Sequence, residues 1–148
     1  MSFKHWRIIL DKPWQTRWLV VDAACTLVWF ALFVRLMPFQ RLTVKWGHQG
    51  QVARTDITPD QQQQAREIEW LIDALSRRMP FQATCLMQAA TGQSLLRRRG
   101  VPSTVYIGVA PRRDDGRNVN AHAWLQCGRR IITGRAEARN YRAMTWFS

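Results

Sequence analysis

Acidic residues are scarce in this sequence: ten Asp and Glu stand against 22 Lys and Arg, for a formal charge of +12. A basic partner is therefore a poor fit, and the balance points to acidic partners or substrates or to an anionic membrane surface. Cysteine is scarce as well. Cys25, Cys85 and Cys127 are an odd number with no C-x-x-C pair, which argues against a disulfide framework and a four-ligand zinc site and suits a reducing cytosol. No metal and no cofactor are expected, while a free reactive thiol is permitted. Long hydrophobic runs are missing too. The most apolar segment, residues 18–34, is interrupted by Asp22, and the remainder, 23–34, falls short of the roughly 18–20 residues of a spanning helix. No signal-peptide pattern precedes it. The positive charge comes without a helix-turn-helix, zinc-finger or RNP-like pattern, so nucleic acid is not an expected partner.

What is present asks for a core. Apolar residues make up 47% of the chain and eight of them are tryptophans, too much apolar surface for a disordered chain. Residues 1–17 alternate charge with aromatics, as in Lys4-His5-Trp6-Arg7, a pattern suited to an interface. The segment 18–34 reads as a helix buried against protein, ended by Met37-Pro38; attachment to a membrane interface is the alternative, because Trp, Phe and flanking Arg35, Arg41 and Lys45 have amphipathic character. Residues 47–55 read as a linker or loop. The expected division is an apolar helical segment with its linker over 1–57 and a catalytic core over 58–148.

A second helix begins at Thr58-Pro59-Asp60-Gln61, with an N-cap Thr, Pro at the first helical position and Gln three residues after the cap. Its apolar residues Ala65, Ile68, Leu71, Ile72, Leu75 and Met79 recur at three and four, so one stripe faces a core. Met79-Pro80 closes it. Thr84 then caps a third helix over residues 86–99, and the run Arg97-Arg98-Arg99-Gly100 stops it with cations in the last turn and Gly at C′. Those arginines are expected to complement the helix dipole on a solvated face. Beyond Pro102 the period changes from 3.6 to 2. Strands are predicted over 104–109, 119–127 and 130–133, with residues 141–147 available as one more. Gly128-Arg129 is the hairpin turn, and pairing Cys127 with Arg130 sets Thr133 opposite Trp124. Residues 111–116, including Asp114-Asp115-Gly116, read as a polar loop. The fold class is α+β: N-terminal helices followed by an antiparallel sheet.

Two residues in this frame carry chemistry. Cys85 lies at the start of the third helix, where unpaired N–H groups and the macrodipole favour a thiolate. His122, in the predicted strand, is the candidate base. A thiol at a helix N-terminus with an imidazole on a neighbouring strand is the arrangement cysteine acyl transfer needs, since the helix N–H groups can also hold the oxyanion of a tetrahedral intermediate. A Cys and a His in one chain are equally consistent with inert packing and a structural histidine.

The segments Thr84-Cys85-Leu86, Leu95-Leu96-Arg97-Arg98-Arg99-Gly100-Val101-Pro102, Ile107-Gly108-Val109 and Ala121-His122-Ala123-Trp124-Leu125 resemble the B2 proteins of lasso-peptide biosynthesis, transglutaminase-like cysteine leader peptidases. The match is specific over residues 79–134 and looser over the apolar N-terminal third. The resemblance implies a papain-like or transglutaminase-like core with Cys85 as nucleophile and His122 as base. The reaction implied is hydrolysis of one peptide bond between leader and core of a lasso precursor peptide in the cytoplasm, with peripheral membrane contact as the alternative location. Implied partners are a PqqD-like leader-recognition protein and an ATP-dependent lasso cyclase acting on the released amine.

One position departs from the family. Its third member, usually Asp, falls here on Thr133-Gly134, with no acid until Glu137, and the Glu often found two residues after the Trp is Gln126. Three readings follow: a dyad oriented by a neutral group from Thr133, Gly134 or nearby backbone, which is the one expected; a triad completed by Glu137; or a degenerate protein that binds precursor without cutting it. A transglutaminase-like acyltransferase is a further alternative. An Asp placed at Gly134 is expected to supply a charged partner and raise the rate.

Overall fold

The structure is a computed structural model that describes residues 14–36, 49–110 and 120–148, with only the backbone described at 14–17 and 33–36. The stretch 1–13, the helix stop at Met37-Pro38 and the loop at Asp114-Asp115-Gly116 lie outside the described residues. In chain order the elements are α1 (Trp14–Leu36), α2 (Pro59–Ser76), α3 (Cys85–Arg98), β1 (Thr104–Ala110), β2 (Asn120–Cys127), β3 (Arg130–Thr133), a single turn α4 (Arg135–Ala138) and β4 (Arg142–Phe147). The strands form one antiparallel sheet in the order β3-β2-β1-β4. Helices followed by an antiparallel sheet are the expected α+β class.

The helix termini follow from local chemistry. Thr58 and Gln61 close a capping box at α2: Gln61 N donates to Thr58 Oγ1 (3.2 Å) and Thr58 N to Gln61 Oε1 (3.0 Å). Each of two orphan donors thereby gains a partner. At the far end of α3, Gly100 takes φ +66°, Val101 N donates to Leu96 O and Gly100 N to Arg97 O, both at 3.0 Å. That is a Schellman stop, which glycine's left-handed freedom permits.

The core runs through helices and sheet without a break, from Leu19, Ala23 and Leu27 of α1 through Ile68 and Ile72 of α2 and Leu95 and Leu96 of α3 to Val105, Leu125 and Phe147. Contact between α3 and the sheet is close. A Cβ at Gly92 would come within 2.5 Å of Leu125 Cδ2 and 3.0 Å of Ile72 Cδ1, so glycine there lets helix and sheet approach. Over 49–55 the chain forms no helix or strand beyond a single bridge, in keeping with a loop, and it is tied to the sheet: Gln49 bridges Phe147 and Ala53 N donates to Thr104 Oγ1 at 2.9 Å.

Three expectations change. First, α1 is only half covered: Leu19, Val20, Ala23, Leu27, Phe30 and Ala31 are buried, whereas Trp18, Val21, Val28, Trp29 and Leu32 are exposed. Among the described residues no helix is long and apolar enough to cross a membrane. Second, the arginine run does more than neutralise a dipole. Arg98 pairs with Asp22 of α1, the charge that interrupts the apolar segment, and Arg99 Nη1 donates to Leu95 O at 3.1 Å. Third, the register slips. Cys127 pairs with Arg130 as expected, but a bulge between Leu125 and Gln126 sets Gln126 opposite Ile131 and Thr133 opposite Leu125, not Trp124. One extra residue on β3 bends the strand there.

Candidate active site

Thr84 caps α3 as its sequence suggests. Its Oγ1 accepts from Met87 N at 3.3 Å, and the N–H groups of Cys85 and Leu86 have no acceptor among the described residues. Cys85 is thus the first residue of the helix, half-buried and packed against the core. A carbonyl oxygen brought to this helix start would find unpaired donors and the positive end of the macrodipole.

His122 is 5% exposed. Its Nε2–H donates to Gly134 O at 3.0 Å, and Nδ1 lies 3.3 Å from Glu137 Oε2. Trp124 stacks near it, with ring centroids 6.2 Å apart, and Tyr141 tilts against it at 5.1 Å. Trp124 in turn stacks on Tyr106 of β1 at 5.5 Å. Both ring nitrogens therefore face acceptors, and an imidazole can donate from both only when it carries two protons. Glu137 itself is 65% exposed, so this contact is screened by water and worth little as a surface pair.

Gly134 makes the arrangement sterically possible. It caps α4 in the left-handed region at φ +74°, and a Cβ there would lie 2.8 Å from His122 Nε2, 2.8 Å from Ala123 O and 3.0 Å from Trp124 Cβ. No side chain fits between the chain and the imidazole. The expectation that Asp at Gly134 improves the site is accordingly reversed: it would displace the ring it was meant to orient. Thr133 contributes no hydrogen bond either. Its hydroxyl is buried without a partner among the described residues.

The structure thus gathers His122, Gly134 and Glu137 into one group. Glu137 reaches it because α4 completes one turn after Gly134, bringing residue 137 back over residue 134. Counting along a strand gives no hint of that turn. It does not join Cys85 to the group. No hydrogen bond links its Sγ to the imidazole, and along β2 the side chain of His122 alternates with those of Ala123 and Leu125, the latter packed on α3. Tyr141 and Trp124 as ring neighbours were missed from sequence; the Trp two residues after the His is the one available signal, through the period-2 alternation of a strand.

The remaining thiols differ. Cys127 is buried and donates to Pro102 O at 3.3 Å, and desolvation pushes its thiol up from the ordinary range. It is the less reactive form at neutral pH. Cys25 is exposed on α1. No group of three His, Cys, Asp or Glu among the described residues could hold a metal ion.

A family profile described as "Transglutaminase-like superfamily" aligns with residues 25–145, a span that includes α3, the sheet and α4. No curated protein and no solved structure matches the chain.

Proposed function

Because the chain belongs to the transglutaminase-like superfamily, we propose that it is a cysteine peptidase that removes the leader from a lasso-peptide precursor, with Cys85 as nucleophile and His122 as acid and base. The observation that carries the reading is a thiol at the start of α3, beside the unpaired N–H groups of Cys85 and Leu86, in the same family unit as a buried imidazole whose Nε2 is fixed by the Gly134 carbonyl. Fixing Nε2 orients the ring, and Nδ1, which faces the largely exposed Glu137 carboxylate, is the nitrogen that must exchange that partner for the thiol. A neutral acceptor is chemically sufficient for this, since a thiolate–imidazolium pair needs orientation more than additional charge.

In the reaction, Nδ1 exchanges Glu137 for Cys85 and takes the thiol proton, and the sulfur attacks the carbonyl carbon of the bond between leader and core. The carbonyl oxygen becomes an oxyanion facing the N–H groups of Cys85 and Leu86. The C–N bond breaks, the imidazolium proton passes to the departing amine, and a thioester remains on sulfur. Water, losing a proton to His122, attacks the thioester; the leader leaves as a carboxylic acid and the thiol is restored. A PqqD-like protein presents the leader, and an ATP-dependent cyclase takes the freed amine. Residues 58–148 are assigned to the catalytic core and 1–57 to an N-terminal segment, of which the described part of α1 packs on α2 and α3.

A second reading has one observation in its favour: the imidazole is engaged by Gly134 and Glu137 and not by Cys85. In that reading the protein holds the precursor and does not cut it. Mixing the chain with its recognition partner and a leader-bearing peptide separates the two. Two fragments, with loss of cutting when iodoacetamide modifies Cys85, are expected of the peptidase; intact, retained peptide is expected of the binding module. Joining of an added amine to the peptide would identify an acyltransferase instead.

A further inference from the structure

Beside α4, on the side of the β2–β3 turn, lies an open cleft of about 730 Å³. Five arginines line it: Arg66 from α2, Arg129 and Arg130 from the turn into β3, and Arg135 and Arg139 from α4 and its end. One carboxylate, Asp56, lines it with them. Glu69 supplies the other negative charge, meeting Arg130 at 2.5 Å and Arg135 at 3.6 Å. Arg66, Arg129 and Arg139 have neither an ion pair nor a side-chain hydrogen bond among the described residues. All three are exposed. Elsewhere Arg77 and Arg98 are each matched by an aspartate, while Arg54, Arg97 and Arg142 are exposed without an ion pair among the described residues; what sets this cleft apart is that three such arginines line one cavity.

We propose that the cleft binds an acidic stretch of the polypeptide that the protein processes, with carboxylates of that stretch pairing to Arg66, Arg129 and Arg139; the assignment of this ligand rests on the peptidase reading above. Guanidinium groups present planar forks that match carboxylates two bonds at a time. The three free forks come from a helix, a hairpin turn and the end of α4, and such a spread suits several carboxylates strung along a chain better than one compact anion. Ile57 and Ile131 between them give apolar surface to the intervening side chains. Among the described residues no aromatic side chain lines the cleft, so the lining offers nucleic-acid bases no face on which to stack. Arg135 in the wall and Glu137 at the imidazole belong to the same turn of chain, so a substrate held here is anchored on the turn that supports His122.

The test uses the full chain and a dye-labelled, glutamate-rich peptide, with a glutamine-rich peptide and an RNA oligomer of equal charge alongside. Binding of the acidic peptide that weakens with salt, is about tenfold weaker in the triple variant Arg66→Gln/Arg129→Gln/Arg139→Gln, and is unchanged in Cys85→Ser supports the cleft. The triple variant should melt at the wild-type temperature, because its changes are all at exposed side chains. With an acid-bearing precursor, the same triple variant should raise KM at constant kcat. Unaltered binding in the triple variant overturns the proposal even where cleavage persists. Acidic-peptide binding through these arginines in a chain that cuts nothing leaves the cleft standing and removes the peptidase reading instead. Tighter binding of the RNA through the same arginines overturns the peptide assignment.

Discussion

Replacing Gly134 by Ala tests how the imidazole is held. The residue sits at φ +74°, where a side chain costs about 1–2 kcal/mol through its clash with the following carbonyl. The new Cβ would also stand 2.8 Å from His122 Nε2 and 2.8 Å from Ala123 O, so either the ring or the strand must move. Losing the bond between Nε2 and Gly134 O adds about 0.5–1.5 kcal/mol. Together these give a loss of about 2–3 kcal/mol, or a fall in Tm of roughly 5–10 °C for a chain of this length. Thermal melting followed by circular dichroism reads the stability, and nitrogen-15 chemical shifts of the His122 ring read whether Nε2 keeps its proton and its acceptor. Gly134→Asp should behave worse than Gly134→Ala, since it adds bulk at the same point. A Gly134→Ala chain that melts within about 1 °C of wild type with an unchanged ring spectrum would refute the steric account.

Other expectations follow from the same contacts. Glu137→Ala should lower cleavage by less than about tenfold, around 1.4 kcal/mol, because the carboxylate is largely in water and Gly134 O still fixes the ring; a loss of order 10³ in a folded variant would make Glu137 the third catalytic member. Cys127→Ser should leave activity nearly intact. Its folded thiol is raised by burial, so the stability it contributes is complete below the ordinary thiol pKa of about 8.5 and is lost as pH climbs from there through the raised folded value. Removing it should flatten the alkaline limb of a stability profile measured by denaturant titration, and an unchanged limb would count against the assignment. Leu27→Ala, on the buried side of α1 at 1% exposure, should cost about 2–5 kcal/mol; a loss below 1 kcal/mol in chemical denaturation would show that α1 is not part of the core.

Much of the frame was legible in the sequence because its signals are local. Thr58-Pro59-Asp60-Gln61 and Thr84 specify helix starts by the hydrogen bonds their side chains can make, Arg99-Gly100 a stop, and the change of period at Pro102 a sheet, and each appears within a residue or two of its expected place. The Cys85 helix start was equally readable. What could not be read is set by distance in space. The bulge at Leu125 and Gln126 depends on how β3 packs, so pairing counted outward from the turn drifted by one. Gly134 looked like an empty place in a motif, yet its missing side chain is what admits the imidazole. Glu137 looked too late by three residues and arrives by a single helical turn. Asp22 looked like a flaw in an apolar run until Arg98, far along the chain, supplied its partner. The arginine-lined cleft gathers residues from α2, the hairpin and α4, and no linear spacing announces it.

The central claim is that Cys85 cuts a peptide bond with His122 as its base. Its most direct measurement is mass spectrometry of a leader-bearing precursor incubated with the recognition partner and either wild-type chain, Cys85→Ala or His122→Ala. The account predicts leader and core fragments differing from precursor by one water with wild type, an acyl adduct trapped on Cys85 in a rapid acid quench, and background cleavage by either variant with precursor still bound. Intact precursor with the wild-type chain, or equal cleavage by Cys85→Ala, would contradict it.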